Sequence, residues 1–354
     1  MSEFHSFLKS LIGEAGLSGH EESIRKLIEF RWTPLVDEVR CSRLGSLHSL
    51  KRGGGNPPRH SVMIAAHMDA IGLMVSRIVG GFLYITEIGS IDPRILPGTP
   101  VLVQASMVGE KIPGIITLPP EDLLPSEIGE GAVGMEYLIV DVGFTEREVS
   151  RRIQVGDLIS FDTQPVDLPG GCLSGHSLDN RASIAALTVC LEELQSVRHV
   201  WDVWAVATVQ EETTMGGAAS SAFQLHSTIA VVVDMSYGQG AGTGGRSTFP
   251  IGGGPTLGIG GSIHPYLHRR FTEVANRSGI PIKNEAMPAA SLTDADVIKL
   301  SAEGVPTMVI GIPLRYMHTP VEVVALRDIQ LTGRLLSEFV LSLEADFPDR
   351  IVWE

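Results

Sequence analysis

The stretch Val203-Trp-Ala-Val-Ala-Thr-Val-Gln-Glu211-Glu212 runs from an apolar segment into two adjacent carboxylates. Apolar runs that lack polar alternation suit strands buried on both faces. A buried strand that delivers paired charge to its end places it where a cation or a reaction must compensate the desolvation. Three other runs finish comparably: Val62-Met-Ile-Ala-Ala-His67-Met-Asp69, Ile229-Ala-Val-Val-Val-Asp234, and Pro306-Thr-Met-Val-Ile-Gly-Ile-Pro313, which leads into Arg315-Tyr-Met-His318. In open α/β sheets, ligands bind in the crevice beyond the carboxyl ends of the strands. The four ends are therefore expected to converge on one polar site, and its residue types are those of a metal centre.

The chain has 354 residues, 44% of them apolar, enough for a large core and for two domains rather than one. Its formal net charge of −14 argues against nucleic-acid binding, because phosphates would be repelled. Cys41, Cys172 and Cys190 are too widely spaced for a zinc knuckle or a disulfide framework, so a reducing cytoplasm is the expected location. The first thirty residues carry charges throughout, unlike a signal peptide, and no stretch has the ~18 uninterrupted apolar residues of a membrane span.

Working outward, the N-terminal segment reads as two amphipathic helices, with Ser18-Gly-His-Glu21 as a capping box ahead of the second. Strands follow between Glu38 and Leu50, then a Gly/Pro-rich loop at Gly53 to Pro58 and a central strand at Val62 to Ala66. From about Ile71 to Gln164, short β-rich pieces alternate with Gly/Pro turns, the pattern of a small barrel or sandwich. Helix–strand alternation then returns, with an amphipathic helix at Ala182 to Val197 and helices at Pro265 to Arg277, Asp294 to Glu303 and Arg327 to Leu343. The stretch Gly238 to Gly261 is expected to be loop-rich. The expected architecture is a mixed-sheet α/β domain formed by residues 1–69 and 166–354, interrupted by a β-barrel-like domain at 70–165.

His67, Asp179, Glu212, Asp234 and His318 make a set of two imidazoles and three carboxylates, donors that zinc and cobalt accept. If Asp179, in Ser177-Leu-Asp-Asn-Arg181, bridges two ions, each ion gains one histidine, one further carboxylate and a share of the bridge. Two ions ~3.5–4 Å apart can hold a hydroxide and polarise a carbonyl together. Glu211, on the opposite face from Glu212 if the strand stays extended, is then free to act as general base. Asp69 is placed to hold the His67 ring from behind. Singly, each residue has a bland reading, such as a structural histidine or an N-cap aspartate; their joint position at the ends of apolar runs is what selects them. His176, His264 and His268 are rival ligands. Asp294 and Asp296 read as a helix N-terminus with a lesser claim on the substrate pocket.

The chain resembles the M42 family of dinuclear-metal aminopeptidases. The resemblance spans essentially the whole length and rests on Ala66-His-Met-Asp-Ala-Ile-Gly72, Leu178-Asp-Asn-Arg181, Val209-Gln-Glu-Glu-Thr213, Val232-Val-Asp234, Leu292-Thr-Asp-Ala295 and Ile312-Pro-Leu-Arg-Tyr-Met-His-Thr-Pro320. It implies a metallopeptidase in which His67 and Asp234 bind one divalent ion and Glu212 and His318 the other. Asp179 bridges them and Glu211 is the base. The ions would be zinc or cobalt, or manganese, and the substrates short peptides with a free N-terminus. It further implies that the inserted domain dimerises the protein, and that dimers assemble further, in this family often into a hollow dodecamer. Four places depart from the family pattern: Ala70 replaces a glutamate, Asn180 an aspartate, Thr213-Thr214-Met215 a Val-Gly, and Ser291-Leu292 a Gly-Gly.

Two other readings compete. A glycoside hydrolase needs two carboxyls roughly 5–9.5 Å apart across a saccharide cleft, and strand neighbours pointing apart would not flank one bond. A metal-retaining scaffold without turnover is motivated by the four departures.

Overall fold

The computed structural model describes residues 3–120, 124, 133–243 and 247–353. The expected insertion at 70–165 includes residues 121–123 and 125–132, and the glycine-rich stretch includes 244–246; these lie outside the described residues.

Four parallel strands form the centre of a mixed sheet, in the order Asp202–Thr208, Ser61–His67, Ile229–Tyr237, Thr307–Arg315. Val62 to Ala66, Ala230 to Val233 and Met308 to Ile312 are buried without alternation, as strands covered on both faces must be. Antiparallel strands extend both flanks: Leu47–Lys51 and Glu38–Cys41 on one side, and Glu322–Ala325, Cys172–Gly175 and Val166–Leu168 on the other.

The helix expected at Ala182 to Val197 spans Leu178–Glu193, and it is not amphipathic. Every residue from Leu178 to Leu187 is buried, because the helix lies against the Ser61–His67 strand while Leu326–Leu341 and Glu3–Ile12 pack over it. A helix enclosed in this way has no polar face to show. The helix expected at Asp294 to Glu303 contracts to Ala295–Ile298, whereas Pro265–Arg277 forms as expected. The capping box does not form. Glu21 stands at the N-cap of the Glu22–Trp32 helix without a capping bond, and the Ser18 and Thr213 hydroxyls instead share a hydrogen bond of 2.9 Å.

Between these halves, six antiparallel strands close a barrel in the order Gly72–Val79, Phe82–Ile88, Ile139–Asp141, Glu110–Thr117, Pro100–Ala105, Leu158–Phe161. The barrel has its own apolar interior, including Leu73, Leu83, Val101, Val103, Ile116, Val140 and Ile159. Pro100–Ala105 shows the alternation of a one-sided strand, with Val101, Val103 and Ala105 inward. A short bridge joins the N-terminal segment to the connection between sheet and barrel, where the Ser18 amide donates to the Ala70 carbonyl (3.1 Å) and the Ala70 amide to that of Gly16 (3.0 Å). No helix of the described residues is long and apolar enough to cross a membrane.

A Cβ at Gly311 would overlap the Ser236 and Thr256 hydroxyls, so Gly311→Ala should cost about 3 kcal/mol of stability, read as a lower urea midpoint. His48 is buried, shares a 2.8 Å hydrogen bond with the Ser221 hydroxyl, and is pushed down from 6.5 to about 4 by burial and by Arg40. Between those values the unfolded chain takes up a proton that the folded one refuses, so stability falls as pH drops through that window. The wild-type midpoint should therefore fall more between pH 7 and pH 5 than that of His48→Gln.

Candidate metal centre

Strand register brings the site together. His67 closes its strand level with Thr208, and the pairing Val232↔Ala65, continued by two residues, sets Asp234 beside it. Past Thr208 the chain leaves the sheet: Gln210 has φ +61°, and a turn carries residues 211–214. Glu211 and Glu212 therefore do not point to opposite faces as an extended strand would require. Both carboxylates offer an oxygen to the same neighbourhood as the His67 ring, within 4.8 Å of each other and of the imidazole. Two buried acids hold this turn. The Asp69 carboxylate accepts the amides of Glu211 and Glu212, each at 3.1 Å, and Glu21 Oε1 accepts that of Gln210 at 3.1 Å.

Asp179 enters from the start of the core helix, where it and Asn180 depart from helical geometry and are joined by a cis peptide bond. Asn180 Nδ2 donates to the Val233 carbonyl (2.8 Å), tying this turn to the strand that carries Asp234. His318 arrives after Thr307–Arg315 with φ +60°. Glu322 secures both: Oε2 accepts the Asp179 amide (3.1 Å) and Oε1 the His318 amide (3.0 Å). Sequence reading missed Glu322. Its signal was the one used elsewhere, a carboxylate at the border of an apolar run (Val323-Val324-Ala325), but at the start of the run rather than its end.

The two oxygens of Asp179 face different histidines: Oδ1 lies 3.2 Å from His67 Nε2, and Oδ2 lies 3.6 Å from His318 Nε2. Asp234 Oδ1 is 3.8 Å from His67 Nε2, and Glu212 Oε2 is 3.6 Å from His318 Nε2. Among the described residues three ligand groups result, His67–Asp179–Asp234, Asp179–Glu212–His318 and His67–Glu211–Glu212, the first two sharing Asp179. Glu211 Oε2 stands 3.9 Å from His67 Nε2. The His67 Nδ1 side faces Asp69, 3.2 Å from its carbonyl and 3.5 Å from its carboxylate.

Burial raises the carboxyls. Glu211 is pushed up to about 9, chiefly by desolvation, with His67 opposing and Asp234, Asp294 and Asp179 adding to it. Glu212, Asp234 and Glu322 are held well above the carboxylate range, again first by burial. Burial alone would lower His67, but Glu211, Asp179, Asp69 and Asp234 outweigh it and raise it well above the usual imidazole value. Such crowding leaves negative charge that two imidazoles do not neutralise. Divalent cations would supply the missing charge, and mixed imidazole–carboxylate donors are a set that they accept; the residues fit such ions.

The rival ligands stand outside these groups. His176 Nδ1 hydrogen-bonds the Ser177 hydroxyl (2.6 Å) and burial lowers it to about 3. His268 Nε2 meets Asn284 Oδ1 (3.0 Å), and His264 packs edge-on to Trp353. Asp296 accepts the Ser291 and Leu292 amides and pairs with Lys299. Asp294 is nearer the site than a plain helix N-terminus would be. It is buried, Oδ2 accepts the Thr208 hydroxyl (2.5 Å), and its carboxyl is raised to about 7, first by desolvation.

An α/β fold whose parallel strands end in a histidine–carboxylate cluster, beside an antiparallel barrel, is that of a metallopeptidase. The model of the M42 glutamyl aminopeptidase family matches residues 45–335, and the chain belongs to that family. It is 31% identical to the lysyl aminopeptidase of Pyrococcus furiosus, over 95% of this chain and 96% of the relative. Among solved structures, an aminopeptidase of the archaeon Desulfurococcus kamchatkensis superposes with a TM-score of 0.90 at 29% identity, over 99% of this chain and 97% of the other. The TET1 peptidase of Pyrococcus horikoshii, described as assembling into a tetrahedron or a large octahedral shell, superposes at 0.83 and 26% identity, over 96% of this chain and 100% of the other. The protein is accordingly a peptide-bond hydrolase of the aminopeptidase type.

Because Glu322 fixes the backbone at both Asp179 and His318, Glu322→Gln should weaken metal retention about 10–100-fold. The measurement is metal content after dialysis against graded chelator.

Proposed function

We propose that the protein is a two-metal aminopeptidase that removes residues from the free N-terminus of short peptides. The observation that carries this reading is Asp179, whose oxygens turn separately toward His67 and His318. In this reading His67, Asp179 and Asp234 hold one divalent ion, and Asp179, Glu212 and His318 hold the other. Zinc and cobalt suit these donors, and manganese shares their preferences. When bound, such ions act as Lewis acids toward the scissile carbonyl and lower the pKa of water.

The remaining groups divide the work among themselves. Glu211 groups with His67 and Glu212 rather than with the Asp179 bridge; in this reading bound cations offset its acidic neighbours and keep it ionised, so it takes the proton of the attacking water and passes it to the leaving amine. Asp69 is a positioning residue: it orients the His67 ring and, through two amides, fixes where Glu211 and Glu212 stand. Acidic groups beside the cluster favour a substrate that brings its own α-ammonium, and acetylation removes that charge.

We further assign residues 1–69 and 166–354 to catalysis and 70–165 to dimerisation. The separate core of the barrel supports this division. A homo-oligomer, a dimer or a larger shell built from dimers, accords with the assembly described for the Pyrococcus horikoshii relative. The free cysteines Cys41, Cys172 and Cys190 suit a cytoplasmic setting.

Glu211→Gln should leave two equivalents of metal bound while kcat falls about 10²–10⁴-fold; near-normal turnover in that variant would remove the proposed base. On a peptide panel offered with free and acetylated N-termini, only free-amine peptides should be cleaved. Cleavage should stop on chelation and return with added cobalt or zinc. Metal binding without turnover of any free peptide would instead favour a non-catalytic scaffold.

A further inference from the structure

A cavity lies far from the cluster, at the opposite end of the strand that leads to His318. It has a volume of 340 Å³, and its lining includes Ser262, His264, Lys299, Val305, Pro306 and Trp353. Thr307 at its rim begins the Thr307–Arg315 strand, whose length at ~3.3 Å per residue sets the cavity about 26 Å from the far end. A molecule bound here would not touch a substrate at the metal centre.

Three features give the cavity its chemistry. First, it opens at the N-terminus of the thirteen-residue helix Pro265–Arg277, which no side chain caps and whose N1 position is a proline. Among the described residues, the positive end of the helix dipole therefore has no capping side chain. Second, His264, at that N-cap, is only 5% exposed, yet its Nδ1 is buried with no hydrogen-bond partner. A neutral ring tolerates an empty acceptor at Nδ1 better than a stranded donor, which puts the proton on Nε2. Burial, and then Arg269, lower the imidazole pKa and keep the ring neutral. Third, Lys299 Nζ donates to the Ser262 hydroxyl (2.8 Å) and to Asp296 Oδ1 (2.9 Å). Of its three N–H bonds one remains without an acceptor among the described residues. Val305, Pro306 and the indole of Trp353 add apolar surface to the lining, with the Trp353 ring 4.8 Å from that of His264.

We infer that this cavity is a binding site for a small carboxylate with a flat or branched apolar body. Its carboxylate meets Lys299 and the His264 edge at the helix end, and its apolar body lies against Trp353, Val305 and Pro306. Such a group can come from a free organic acid or from the carboxyl end of a peptide.

The test is calorimetric titration of the metal-loaded protein with 3-phenylpropanoate and with an N-acetylated dipeptide ending in phenylalanine. The methyl esters of both serve as controls, and Lys299→Gln and His264→Phe as variants. Lys299→Gln removes the charge but can still donate to Asp296. Both variants leave the metal cluster untouched, so peptide turnover at the wild-type level reports an intact fold. The expected result is saturable binding of one or both free acids, at least tenfold weaker in each variant, and none for the esters. The free acid that binds more tightly identifies the source. Esters that bind as well as acids would overturn the proposal, as would no binding of either acid. Unchanged affinity in both variants would also overturn it, by placing the carboxylate at the metal cluster. Because the readout is binding at a distant cavity, it stands or falls separately from the aminopeptidase reading.

Discussion

The constraint on which the structure turns is like charge gathered in a dry place. Asp179, Glu211, Glu212 and Asp234 crowd around His67 and His318 at the carboxyl ends of the central strands, with Asp69, Asp294 and Glu322 close behind. Left alone, these groups would repel one another and draw in water or protons. They stay in place because backbone amides are spent on the outer acids: Glu322 takes those of Asp179 and His318, Asp69 those of Glu211 and Glu212, and Glu21 that of Gln210. Of the inner carboxylates, Asp234 accepts the Met235 amide (2.8 Å), and all of them keep an oxygen turned toward an imidazole.

Arg181 performs the converse task. Fully buried, it collects the carbonyls of Leu11, Glu14, Ala15, Gly16 and Met68, and burial lowers its pKa only to about 10, so it remains charged at neutral pH. It sits two residues after Asp179, which ties the N-terminal segment, the bridge toward the barrel and the loop bearing the shared carboxylate to one guanidinium. Its planar fork suits several carbonyls at once in a way a lysine could not match.

Much of this was legible in the sequence, because parallel strands buried on both faces are written as plain apolar runs. Val62 to His67, Val203 to Thr208, Ile229 to Asp234 and Thr307 to Pro313 all announce themselves, and the residues that end them assemble as expected. The barrel was equally visible in short β pieces between Gly/Pro turns. What escaped was local conformation set by tertiary contacts. Gln210 adopts a left-handed backbone with no glycine or asparagine to signal it, so the Glu pair turns together rather than apart. Ser18 and Glu21 have the spacing of a capping box, but they serve Thr213 and Gln210 instead. The helix at Leu178–Glu193 lacks a polar face because Leu326–Leu341, far away in sequence, covers it.

The cluster draws its members from positions 67, 179, 211, 212, 234 and 318, and its brace from 322, so it is spread over most of the polypeptide. A chain still leaving the ribosome would expose His67 long before His318 or Glu322 had been made. Until then Asp179 would lack the acceptor for its amide, and the group of Asp179 and Glu212 would lack its histidine. If the cluster is the catalytic site proposed above, competence is coupled to completion: a nascent or truncated chain cannot assemble it, and its neighbours are spared until the last strand is seated.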